Sequence, residues 1–137
     1  MGILFFIALL AVSLCLGGMA FFSFCVAPLT FSRLPPEHAK TFIRAIFPLY
    51  YLYIIGTAIA AAIALMPMSG MASALMAGVA FVAFWLRQAL TPRINALRDQ
   101  SEAGDANAER RFRRLHKASV IANLIQIGTT IAVLGGF

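Results

Sequence analysis

Four polar side chains close to the end of the chain, His116, Ser119, Asn123 and Gln126, recur at intervals of three, four and three residues within a largely apolar stretch. On a helix at about 100° per residue they fall within an arc of roughly 80°, and Gln126 lies about 15 Å along the axis from His116. Ionisable and amide groups inside a span are costly and are functional candidates by default. The plainer reading is helix–helix hydrogen bonding, worth about 0.6 kcal/mol per pair. Arg44, Pro48 and Tyr51 share one face of an earlier helix, with Tyr50 turned away. Arg87, Thr91 and Arg98 share a face of the next, with Asn95 beside them. Either Arg44 or Arg87 alone reads as a side chain snorkelling to the interface. Together they make a cationic mouth suited to a carboxylate, a phosphate or a lipid headgroup. Asp99 is the expected neutralising partner for Arg93 or Arg98. Pro48 and Pro92 each remove a helix hydrogen bond and are expected to open the backbone beside that mouth.

Two cofactor chemistries can be written on these residue types. His38 and His116 are the only histidines. As axial imidazoles from two elements they could clasp a haem b, with Arg44 or Arg87 pairing its propionates; no histidine pair sits deep within one span. Met66, Met68 and Met71 form an M-x-M-x-x-M turn whose thioethers suit Cu(I), although six methionines are ordinary filler in so apolar a chain. Cys15 and Cys25 lie about 15 Å apart on a helix and cannot pair, so both read as small buried hydrophobes. Apart from Asp99 at the polar end of the third, no acidic residue lies within the apolar stretches, and no nucleophile motif, Gly-rich phosphate loop or zinc spacing occurs, which argues against a hydrolase.

The elements that carry these residues follow from composition. The chain has 137 residues, 61% hydrophobic and only 12% charged, with a mean hydropathy of +0.88. Soluble domains are roughly 45–50% apolar and about 25% charged, so a soluble enzyme and a disordered chain are both excluded. The sixteen Lys, Arg, Asp and Glu residues fall in two blocks, Arg33 to Arg44 and Arg87 to Lys117. Four apolar stretches surround them, at about 3–31, 42–65, 69–99 and 111–134, separated by Pro35-Pro36, by Pro67 and Gly70, and by the polar segment 100–109. Each holds the ~20 apolar residues that cross roughly 30 Å of hydrocarbon. Backbone groups must be satisfied within each span, and no alternation of a membrane barrel is present, so the spans are helices. The expectation is one all-α domain, an integral-membrane four-helix bundle.

With four spans, the 1–2 and 3–4 connections lie on one side. They hold every Lys and Arg, whereas the termini and the Met66–Gly70 turn hold none. The positive-inside rule places both charged loops in the cytoplasm of a bacterial-type inner membrane and both termini outside. The net charge of +6 therefore marks membrane flanks; nucleic acid is not an expected partner, since aromatic platforms do not interleave with the basic residues. Gly70, Ala74 and Gly78 form a small-residue stripe compatible with a homo-oligomer.

Several of these residues also fall into recognisable motifs. Phe47-Pro48-Leu49-Tyr50-Tyr51 resembles the F-P-x-Y-[YF] signature of the transmembrane protein 205-like family, a membrane domain of unknown function. Thr91-Pro92-Arg93 resembles the family's x-P-R element at the end of its third helix. Phe112-Arg113-Arg114-Leu115-His116-Lys117-Ala118-Ser119, followed by Asn123, is similar to its F-x-x-[LY]-H-x-x-S-x-x-x-N motif, and the Arg33-Leu34-Pro35 break fits as well. The resemblance covers nearly the whole chain and implies a four-span membrane protein. It also implies distant kinship with copper-resistance D-type and HemJ-type haem-pathway proteins, a kinship of fold that does not carry function. His38 falls outside the pattern.

The function expected first is binding of a small ligand or cofactor in the cytoplasmic half, at Arg44, Pro48, Tyr51, Arg87, Arg93, His116, Ser119, Asn123 and Gln126. The competing readings are a haem redox protein, a copper or small-solute transporter, and a structural protein whose polar stripe only specifies packing.

Overall fold

The computed structural model describes residues 2–137, which fold into four long helices with no strand among them. These are α1 (Gly2–Arg33), α2 (Pro36–Leu65), α3 (Gly70–Glu102) and α4 (Ala106–Gly135), each long and apolar enough to cross a membrane. They form a ring in which each helix packs on its chain neighbours and α4 closes back onto α1. The Phe5 and Phe137 rings meet edge to face at 5.4 Å, so both chain ends lie at the same end of the bundle. The charged residues all gather at the other end.

The helices outrun the apolar stretches at the charged end, where water can solvate them. α2 begins at Pro36, seven residues before the first buried isoleucine, Ile43. The polar segment 100–109 is mostly helical, and its loop shrinks to three residues. Gly104 makes the turn at φ 102°, a conformation open to glycine. The Asp105 side chain then caps α4 by accepting from the backbone N–H of Asn107 and Ala108.

Two turns of the bundle are wider than α-helical. At Phe22–Val26 in α1 and Leu86–Leu90 in α3, the backbone closes i→i+5 bonds, from Ala27 N to Phe22 O and from Thr91 N to Leu86 O. The residue whose N–H closes each wide turn directly precedes a proline, Pro28 or Pro92. A proline ring collides with the carbonyl four residues back and offers it no N–H, and widening the turn relieves both problems. The hydroxyls of Thr30 and Thr91 supply further donors, to Val26 O at 2.7 Å and Leu86 O at 2.8 Å. The expected opening at Pro92 is therefore present, and Pro28 makes a second one. At Pro48 the helix continues without a wide turn.

Two close contacts fix the helix pairs toward the uncharged end. The Ser73 hydroxyl of α3 donates to Ala62 O of α2 at 2.7 Å. On the α1–α2 seam the Tyr53 hydroxyl donates to Leu14 O at 2.6 Å, and its ring lies over Gly18. A Cβ at Gly18 would collide with that ring. Gly18→Ala should therefore displace Tyr53 and cost about 1 kcal/mol, the worth of one hydrogen bond. Tyr53→Phe should cost a similar amount, and the double variant little more than either alone, because one interaction is lost once. Denaturation in detergent of the four proteins of that cycle measures the coupling.

Candidate functional site

At the charged end the four helices stand apart around a cavity of about 720 Å³, within the range of small-molecule sites. Its wall on α1 and α2 is aromatic. Phe22 stacks on Tyr50 with centroids 4.1 Å apart, and Phe47 packs against Phe22, Tyr50 and Tyr51. Phe22 belongs to the wide turn of α1, so the Pro28-driven opening presents both this ring and Ser23 to the cavity.

The inner end of the cavity is closed by a polar chain that ties three helices. The Tyr50 hydroxyl donates to Asn123 Oδ1 at 2.7 Å, and Asn123 Nδ2 donates to Ser23 Oγ at 2.7 Å. The Asn123 amide thus uses one acceptor and one donor on two different neighbours, and Ser23 keeps its own hydroxyl proton for another acceptor. Toward the charged end the walls become polar. His116 lies parallel to the Phe112 ring at 5.9 Å, and the Arg98 guanidinium sits over the same ring, also at 5.9 Å. Glu102 pairs with Arg98, and Glu109 with Arg113, at this mouth.

Of the residues expected to bind a ligand, Tyr51, His116, Ser119 and Asn123 line the cavity, together with Thr91, Asn95 and Arg98 of the α3 face. Ser119 turns its hydroxyl proton to His116 O at 2.7 Å, leaving only lone pairs for a ligand. The expected cationic mouth is built differently. Arg44 leaves the cavity and forms a forked pair with Asp99, at 2.7 and 3.3 Å, while also donating to Asn95 O. Lys40 joins the same cluster through Asp99 and Glu102. Asp99 therefore serves Arg44 and Lys40, not Arg93 or Arg98, which stand six and one positions before it on the same helix and do not share its face. Arg87 donates to Pro48 O at 3.2 Å and to the Gln88 side chain, binding α3 to α2 beside the proline. Arg93 is exposed, and neither it nor Pro48 lines the cavity.

Gln126 is 2% exposed and lies beyond the cavity floor. Its Nε2 donates to Val79 O at 2.9 Å, whereas Oε1 has no partner among the described residues. His38 is exposed on the first turn of α2 and does not line the cavity, so the two histidines do not face one another across it. At the opposite end of the bundle Met66 and Met71 are exposed, whereas Met68 packs against the core. Cys15 is buried and Cys25 is exposed.

Tyr50 corrects the sequence reading. Turned away from the Tyr51 face by helical angle, it is nevertheless 7% exposed and supplies the α2 end of the polar chain, donating to the central Asn123. Because α2 packs against both α1 and α3, its inward arc is wide enough for two adjacent tyrosines. Ser23 is not legible in the sequence, since a serine in an apolar run gives no signal until its partner is placed.

Such an arrangement defines an integral membrane protein of four helices with a polar-lined chamber at its charged end. Residues 10–103 match the family described as DUF4149, a domain of unknown function, and the chain belongs to that family. No curated protein and no solved structure matches the chain.

The two buried amides should respond differently to removal. Asn123→Leu orphans both the Tyr50 and Ser23 hydroxyls and is expected to cost about 1–2 kcal/mol, given the worth of polar contacts between membrane helices. Gln126→Leu removes an unpartnered oxygen together with a bond to a carbonyl inside a helix, and should stay within about 0.5 kcal/mol of wild type. Equilibrium unfolding in mixed micelles ranks the two; the reverse order would break this account of the floor.

Proposed function

We propose that the protein binds a small molecule in the chamber between Tyr50, Tyr51, His116, Ser119 and Asn123, on the cytoplasmic side of a bacterial inner membrane. The observation that carries the reading is the chamber itself, about 720 Å³ with an aromatic wall and a hydrogen-bonded floor. Helices that needed only to pack would close such a space, because unfilled volume forfeits contacts on every side. The confinement of Lys and Arg to one end of the bundle supports the sidedness, with both termini outside.

The finer kinship with transmembrane protein 205-like proteins is also part of this reading. It is supported by the way two separate motifs meet: Tyr50 of the F-P-x-Y-Y run bonds Asn123 of the H-x-x-S-x-x-x-N run. The cofactor readings have weaker support. Only one histidine lines the chamber, and the three turn methionines do not share one environment.

The test is extraction. Protein purified gently in detergent should release a defined small molecule near stoichiometric amount, identified by mass spectrometry and absorption spectroscopy. Ser119→Trp, which places an indole in the chamber, should release none while inserting normally. Identical extracts from the two proteins would remove the chamber as a binding site.

A further inference from the structure

The chamber has an open side, and its edges differ in chemistry. α4 packs along Gly2–Phe21 of α1, while the lower part of α1, Ala27–Arg33, packs on α2 and on its own wide turn. The Ser23–Asn123 hydrogen bond therefore marks the point below which α1 and α4 part. On the α1 side the edge is formed by Phe24, Ala27 and Phe31, at i, i+3 and i+7 on one helical face. On the α4 side it is formed by Val120 and Leu124. Phe24, Phe31, Val120 and Leu124 are exposed. In a membrane-spanning bundle such side chains meet lipid, so the chamber is continuous with the hydrocarbon through this slit.

The α4 edge changes character along its length. Arg110, Arg113, Lys117, Val120 and Leu124 follow one another at intervals of three, four, three and four residues, a single stripe that passes from cationic to apolar. Arg113 pairs with Glu109, whereas Arg110 and Lys117 form no ion pair among the described residues. That sequence of chemistries is complementary to an anionic amphiphile lying along the helix, with its phosphate at the interface and its chain at hydrocarbon depth.

We propose that the occupant is an anionic glycerophospholipid from the cytoplasmic leaflet, which enters sideways between α1 and α4. Its phosphate is held by Arg110, Arg113 and Lys117, and an acyl chain passes between Phe24–Phe31 and Val120–Leu124 into the aromatic part of the chamber. The inference rests on the ligand-binding reading above and names the class of ligand. It also accounts for a chamber with so polar a mouth and so apolar a flank.

The experiment uses the full chain in lipid nanodiscs containing a phosphatidylglycerol with a photoactivatable group on one acyl chain. Cross-links should concentrate on residues 22–31 and 120–124, saturate with lipid, and be displaced by unlabelled phosphatidylglycerol but not by phosphatidylcholine. Glycerol phosphate in solution should not displace them. The double substitution Arg110→Gln and Lys117→Gln should weaken retention roughly thirtyfold with unfolding unchanged, and Ala27→Trp should block the slit. Cross-links spread evenly around all four helices, or equal yields with the zwitterionic lipid, would overturn the proposal. Displacement by glycerol phosphate would instead identify a water-soluble phosphate ligand and overturn the lipid route. In either case the extraction comparison with Ser119→Trp still decides separately whether the chamber binds anything.

Discussion

Hydrocarbon offers no hydrogen bonds, and nearly everything in this protein follows from that. Each backbone group must find its partner within its own helix, which makes the four spans helical before any packing is considered. Where a proline breaks that rule, the chain has to repair it locally. In α1 and α3 the repair is the same: an i→i+5 turn ahead of Pro28 and Pro92, reinforced by a threonine hydroxyl. These turns change the angular register of everything beyond them. They also expose Phe22 and Ser23 of α1 and Thr91 of α3 to the chamber.

Side chains obey the same constraint with more freedom. Tyr50, Asn123 and Ser23 satisfy one another across three helices, and that chain separates a tightly packed half from an open one. The packed half is built on small and apolar residues such as Ala8, Ala58, Ala61 and Val79, with Gly18 admitting the Tyr53 ring. In the open half, water and headgroups can reach the polar walls, so ion pairs replace buried amides. Those pairs are solvent-exposed, and each contributes little to stability. Their effect is geometric: Lys40 and Arg44 on α2 hold Asp99 and Glu102 on α3, and Arg98 pairs with Glu102 beside the mouth.

Sequence periodicity puts His116, Ser119 and Asn123 on one face of α4, and that face lines the cavity, because one straight helix keeps its register over two turns. The same stripe did not extend to a common site, since Gln126 sits past the floor against Val79. Depth, together with a face shared with Tyr51 or Thr91, points Arg44 and Arg87 to a common mouth. Depth places Arg44 at the interface but does not say whether it faces the chamber or the flank, and the α2–α3 contact sends it to Asp99. Tyr50 was misplaced for a related reason: helical angle distinguishes inside from outside only when the inside is narrow.

What the amino-acid sequence determined by itself was the class, the number of helices and the end of the bundle that carries charge, because these depend on transfer of whole segments from water to hydrocarbon. A sum over some twenty residues outweighs any single contact. Only the tertiary structure decided which polar groups meet. The Tyr50–Asn123 and Asn123–Ser23 bonds join residues 73 and 100 positions apart, and such pairs depend on the tilt and local widening of helices. Those are set by a proline turn here and a glycine contact there, and they leave no periodic trace in the chain.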